Sequence, residues 1–360
     1  MVSPRWFSWT HLVPLGALAL LAAAFAQPPG AVLATACVAA LIGAVIAAVH
    51  HAEVVAHRVG EPLGTLVLAL AITIIETALI VSLMLSGGAS TAVLARDTLY
   101  ATVMIICNGV VGLCVLLGGL QHRAQQFKVA GTGPALAALV VLSTITLVMP
   151  VFTTSSAEGT YTTSQLAFVA VASTALWAVF VFVQTVRHRD YFLPDEDDPA
   201  GALHAVPPSN AQALLSSALL LVALVAVVGL AKALSPGMES LVEAASLPKA
   251  VVGVAIAVVV LMPETWAAVR AARADRLQTS MNLALGSALA SIGLTVPAVV
   301  LASVWLGLPL TLGLQPKEMA MLAMTFLVSA ITLGSGRTHL MQGAVHLVVF
   351  AAFIFLAFVP

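Results

Sequence analysis

Eleven apolar runs of about twenty residues, separated by charge, glycine and proline, occupy this sequence almost from end to end. They lie near residues 12–27, 31–50, 62–86, 99–121, 132–152, 164–186, 211–231, 248–269, 277–304, 317–335 and 340–358. An α-helix of about 20 apolar residues crosses the ~30 Å hydrocarbon layer of a bilayer while satisfying its own backbone hydrogen bonds. The chain is therefore expected to be an all-α polytopic membrane protein with eleven transmembrane helices. Of its 360 residues, 61% are hydrophobic and 8% charged, where a soluble domain carries about 25% charged. A transmembrane barrel would show alternating apolar and polar segments of ~10 residues, and none appears. A net charge of -1 provides no basic field for nucleic acid. Cys37, Cys107 and Cys114 sit inside apolar runs without a C-x-x-C, and read as packing residues.

Residues 1–30 form the first hydrophobic segment, which also has a signal-like character: Arg5, an apolar stretch, then Ala24-Phe25-Ala26. Lys and Arg concentrate in the cytoplasmic loops of membrane proteins. With the N-terminus inside, ten of the 14 basic residues fall on the inner face and four, Arg96, Lys232, Lys249 and Lys317, on the outer. The expected location is thus the cell (inner) membrane, N-terminus cytoplasmic and C-terminus outside. Residues 187–210, rich in Pro and acid including Asp195, Glu196, Asp197 and Asp198, read as a cytoplasmic linker.

The linker separates a unit at 31–186 from one at 211–360, each of five spans. IETA (75–78) and PETW (263–266) place Glu-Thr in the second span of each unit. In each, the next span begins just after an aspartate, at RDTLYAT (96–102) and ADRLQTS (274–280). Five spans per unit put the second upside down relative to the first, the inverted repeat of many secondary transporters, whose sites lie near the bilayer midplane.

Of fifteen acidic residues, only Glu76 and Glu264 fall well inside the runs. A buried ionised carboxylate costs several kcal/mol, so it needs a proton, a cation or a partner charge. Neither run supplies a Lys or Arg beside its glutamate; Lys249, at the very start of the second, is far along the helix from Glu264. Oxygen donors suited to a hard cation lie nearby: Thr73 and Thr77 around Glu76, and Thr265 after Glu264. In NLALGSALASIGLTVP (282–297), Ser287 and Ser291 are four apart and share a helix face. Gly286 permits close approach or local unwinding there, and Pro263 and Pro297 interrupt the hydrogen-bond ladder. Asn108 is an amide in the middle of the fourth span.

Three stretches carry a family resemblance: HRVGEPLGTLVLALAITIIETALI (57–80), RDTLYATVMIICNGVVGLCVLLGGLQHR (96–123) and MPETWAAVRAARADRLQTSMNLALGSALASIGLTVPAV (262–299). They resemble the calcium/cation antiporter superfamily and, within it, the calcium:proton exchangers, most closely the bacterial ChaA-type sodium-potassium/proton and calcium/proton antiporters. The resemblance spans about residues 50–350. It implies that Glu76 and Glu264 are the two essential acids and that Gly286 and Ser287 form the second-repeat Gly-Ser element, with Ser291 a turn further. Asn108 is carried over on the first repeat. Eukaryotic-type exchangers carry Gly-Asn-Ala-x-Glu before each acid; here ITIIE and LMPE stand in its place, which leaves Ca²⁺ and Na⁺ or K⁺ both open.

The expected activity is cation/proton antiport by alternating access: two midplane carboxylates hold protons or one cation, most readily Ca²⁺ exported against H⁺. A Na⁺(K⁺)/H⁺ antiporter is the alternative, and a non-transporting membrane protein a weaker one. Beyond the transported ions and the lipid bilayer, no cofactor or partner is implied. An intramembrane enzyme would need a nucleophile and base or a metal cluster, and His346, the one histidine well inside a span, has no evident partner in the sequence. His51-Ala-Glu53 with His57 lacks the H-E-x-x-H spacing and reads as a polar cytoplasmic turn.

Overall fold

The computed structural model describes residues 8–26, 30–60, 63–87, 91–192, 208–245, 248 and 250–359. Arg5, Lys249 and the acids at 195–198 lie outside them. The helices are α1 (Trp9–Ala26), α2 (Ala31–Val59), α3 (Leu63–Gly87), α4 (Leu94–Met104), α5 (Val111–His122), α6 (Val129–Ser143), α7 (Thr163–Phe182), α8 (Asn210–Ala244), α9 (Ala250–Arg273), α10 (Leu277–Ala290), α11 (Val296–Leu306), α12 (Pro316–Gly334) and α13 (Leu340–Phe358). A π-helical segment, Ile105–Val110, joins α4 to α5, and another, Ser291–Thr295, joins α10 to α11. Each join makes one long span, so the thirteen helices give eleven helices or helix chains long and apolar enough to cross a membrane. The protein is a polytopic α-helical membrane protein.

The chain divides into two compact units that cut across the sequence halves: residues 1–91 with 205–247, and 92–204 with 248–360. In the first, α1, α2, α3 and α8 pack together. The helix α1, which ends at the signal-like Ala24-Phe25-Ala26, turns Thr10, Ala17, Leu21 and Ala24 inward. A Cβ on Gly229 would fall 2.7 Å from Leu21 Cδ1, so α8 and α1 meet closely. The histidines at 50 and 51 are not in a turn, because α2 continues to Val59. His51 is buried, with Nε2 3.0 Å from Thr10 O and Nδ1 3.2 Å from Ser216 Oγ. The apolar run ends at His50, but the helix continues because three helices share one imidazole and give it partners.

In the second unit α9 packs on α4, α10 and α5, and α13 on α5. Small residues make these seams. A Cβ on Gly253 would lie 2.9 Å from Thr98 N, and one on Gly343 would lie 2.8 Å from Leu116 Cα and 3.0 Å from Gly112 O. Without a hydrophobic drive between helices in lipid, such close backbone approach supplies the dispersion contact that holds them together. Arg96 forms an ion pair with Asp97 at 2.7 Å and donates to Gly313 O at 3.1 Å.

Thr144–Val148 and Val183–Arg187 are π-helical as well; the two joining segments, Ile105–Val110 and Ser291–Thr295, have local causes. Pro297 lacks an N–H and its ring crowds the carbonyl four residues back, so the ladder loosens over Ser291–Thr295. Ile105–Val110 contains no proline and instead includes Gly109, which faces the Phe350 ring. A two-stranded ladder, Ala124–Gln126 against Arg337–His339, was not expected from an all-α reading. Three-residue strands carry too little alternation to read, and here Gln125 anchors the ladder by donating to Ala272 O (2.9 Å) and Asp275 Oδ1 (2.8 Å).

The start of α7 has a full capping box, with Thr162 as N-cap and Gln165 returning to its backbone N–H at 2.8 Å. Thr162→Ala is expected to cost about 1 kcal/mol, read as a lowered thermal unfolding midpoint of the purified protein with transport unchanged.

Candidate functional site

Each midspan glutamate lies on the buried face of its helix. On α3, Glu76 is 2% exposed, with buried Thr73 one turn before it and Leu79, Ile80 and Leu83 on the following turns. Thr77 lies about 100° around the helix, its hydroxyl oxygen enclosed and without a hydrogen-bond partner among the described residues. On α9, Glu264 occupies the stripe formed by Ala257, Val260, Leu261, Ala268 and Ala271, spaced i−7, i−4, i−3, i+4 and i+7. Both its carboxyl oxygens are shielded from solvent. Pro263 sits inside α9 without ending it, and Thr265 Oγ1 donates to Leu261 O at 2.7 Å, so this hydroxyl serves its own helix.

The first unit holds Thr73, Glu76 and Thr77; the second holds Asn108, Glu264, Gly286, Ser287 and Ser291. In the second, α10 lies against α9, which makes the helices of Glu264 and Ser287 neighbours. Ser291 is buried at the first position of the π-helical segment, and Ser287 is partly buried one turn earlier. The expected close approach at Gly286 is not found. Among the described residues a Cβ there would meet nothing within 4 Å, and α10 is regular through Ala290. The ladder instead loosens five residues later, where Pro297 acts.

Asn108 is in the π-helical segment of the fourth span and Ser291 in that of the ninth, so corresponding spans of the two halves break regularity beyond their glutamates. Segments of this kind recur at functional sites because they re-aim side chains and free carbonyls. Asn108 is fully buried and its amide is engaged: Nδ2 donates to Thr325 Oγ1 at 2.9 Å, and Oδ1 faces His346 Nδ1 at 3.4 Å. His346 Nε2 lies 3.1 Å from Thr332 Oγ1. The sequence left His346 without a partner; folding supplies two, from α12 and from the π-helical segment. A signal was present, because Thr325, Ser329 and Thr332 recur at i, i+4 and i+7 on the buried side of α12. Among the described residues no group of three or more His, Cys, Asp or Glu is placed to hold a metal ion.

The sodium/calcium exchanger protein family matches the chain twice, over residues 29–186 and 215–359. The chain is 49% identical over 355 residues to "Putative ionic transporter y4hA" of Sinorhizobium fredii, covering 98% of this chain and 96% of that protein. It is 37% identical over 328 residues to "Sodium-potassium/proton antiporter ChaA" of Escherichia coli, covering 89% and 87%. The solved structure of native YfkE shares the fold at a TM-score of 0.70 and 20% identity, covering 98% of this chain and 100% of that one. The H⁺/Ca²⁺ exchanger CAX does so at 0.71 and 14%, covering 96% and 86%. Two matches of one family to successive halves, each containing one shielded midspan glutamate, leave a single assignment: the chain is a member of the sodium/calcium exchanger protein family.

Proposed function

We propose that this protein is a cation/proton antiporter in which Glu76 and Glu264 form one site that holds either protons or a cation, with Ca²⁺ exported in exchange for H⁺ as the leading reaction. The observation that carries the proposal is the pair of glutamates, each on the apolar buried face of a membrane-spanning helix, at corresponding places in two halves of a family of exchangers. The family consists of secondary transporters and not enzymes, and no resident cofactor enters the reaction. Carboxylates in a low-dielectric interior do not stay charged without a counterion. A divalent cation therefore competes directly with protons for the same oxygens. Thr73, Thr77, Ser287 and Ser291 would add neutral oxygens to a hard cation's shell.

Inverted repeats rocking around the site would expose it to each side in turn. The Lys and Arg distribution favours an inner-membrane orientation with a cytoplasmic N-terminus. Exchange of Na⁺ or K⁺ is the second reading, favoured by the missing Gly-Asn pair before each glutamate and by the 37% identity to a sodium-potassium/proton antiporter.

Everted membrane vesicles with an imposed pH gradient, supplied with Ca²⁺, Na⁺ or K⁺ separately, test both. Gradient dissipation with Ca²⁺ alone supports the first reading, dissipation with a monovalent ion alone supports the second, and no dissipation with any of them refutes antiport.

A further inference from the structure

Among the groups the transport site does not use, His346 is the one buried most deeply together with side-chain partners on two elements. It is fully buried on α13, at the seam where a Cβ on Gly112 of α5 would lie 3.0 Å from His346 Cβ. Its ring faces Asn108, the Cys107 backbone and Thr332.

In this structure the chain of hydrogen bonds through the ring runs in one direction. Thr325 Oγ1 donates to Met321 O at 2.8 Å, so the same oxygen is left to accept. Asn108 must then present its NH₂ to Thr325, as found at 2.9 Å, which turns Oδ1 towards the imidazole. An amide oxygen only accepts, so Nδ1 carries the proton. The bare Nε2 then takes the Thr332 hydroxyl proton across 3.1 Å.

We infer that His346, held as the neutral Nδ1–H tautomer, is a positioning residue that fixes the amide of Asn108, keeping its oxygen and its NH₂ from exchanging places at the π-helical segment of the fourth span. The inference rests on the reading that Asn108 belongs to the cation path. Without the ring N–H, only the Thr325 hydroxyl opposes a half-turn of the amide, and a hydroxyl can re-aim its own proton at the turned oxygen; the half-turn would put donor hydrogens where an oxygen lay and repel a cation. Holding a side chain's orientation by an outer partner is how binding sites gain precision without a new ligand.

The two ring nitrogens can be mimicked one at a time. His346→Asn places an amide near the position of Nδ1, His346→Gln near that of Nε2, and His346→Leu removes both. Thr332→Val breaks only the Nε2 bond and reports any general loosening of α12 against α13.

In proteoliposomes the cation KM should rise about tenfold for His346→Leu and His346→Gln, the equivalent of one oriented hydrogen bond. It should return to within about twofold of the parent for His346→Asn and stay there for Thr332→Val, even though both lower the unfolding temperature. A KM raised equally by Thr332→Val, or not rescued by Asn, overturns the inference while leaving antiport intact. Independently of transport, ¹⁵N-histidine spectra of the full chain in nanodiscs, with His346→Asn as the blank, should show one protonated nitrogen, Nδ1, and one bare nitrogen between pH 6 and 8. An Nε2–H or doubly protonated ring refutes it even if no flux is detected.

Discussion

Glu264→Gln is expected to abolish proton-coupled cation flux while leaving the protein folded. The substitution keeps the shape of a side chain on the buried stripe of α9 and removes only its ability to carry charge and release a proton. It exchanges one carboxyl oxygen for an amide nitrogen, and both oxygens are shielded from solvent, so bulk water does not replace the lost charge. Removing one partner of a buried charge interaction costs about 3–5 kcal/mol, which corresponds to an affinity loss on the order of 100-fold or more. Glu76→Gln is expected to do the same, because its carboxylate is 2% exposed on α3. The measurement is the initial rate of ΔpH-driven cation uptake at saturating and subsaturating cation, with the unfolding midpoint as the control for folding. If either single variant retains more than about a tenth of the parental rate, the two-acid site is wrong.

Gly343→Val is expected to prevent stable assembly of the second unit. A Cβ there already falls 2.8 Å from Leu116 Cα and 3.0 Å from Gly112 O, and those neighbours are backbone, which cannot rotate away. Overpacking of this kind costs about 1–3 kcal/mol for small additions, so Gly343→Ala should lower the unfolding midpoint clearly and Val should cost more. Gly112→Ala should do less, since its obstacles stand further off, His346 Cβ at 3.0 Å and the Leu347 side chain, which can turn, at 3.1 Å. Gly286→Ala provides the opposite sign: nothing lies within 4 Å, and Ala gains up to about 1 kcal/mol of helix propensity over Gly. Thermal unfolding of the four variants in one detergent gives the ranking. A Gly343→Val protein as stable as the parent would mean that α5 and α13 do not meet at this glycine.

The membrane spans could be read closely because each is a self-sufficient segment. Ala31, Leu277 and Leu340 begin helices where apolar runs begin, since lipid rewards length and hydropathy residue by residue. The ends were less legible: α2 continues nine residues beyond His50 because His51 finds Thr10 and Ser216, contacts 41 and 165 positions away. Glu76 and Glu264 were visible as site candidates because a carboxylate in such a run is too costly to keep unless it binds a proton or a cation. Asn108 was visible as a polar residue, but its partners were not, since Thr325 and His346 lie 217 and 238 positions further on. Gly286 looked like the place where the ninth span would loosen, but Pro297, four residues beyond Gly293, moves that point to Ser291–Thr295.

Local chemistry thus already prescribes a bundle of membrane-crossing helices with one acid in each half, because hydrophobic length and the desolvation of charge are properties of short segments. The partition into two units, the glycine seams and the tautomer of His346 arise only when distant segments pack. Each depends on which backbone atoms come within about 3 Å of one another, and lipid, as apolar as the side chains it touches, does not make that choice in advance.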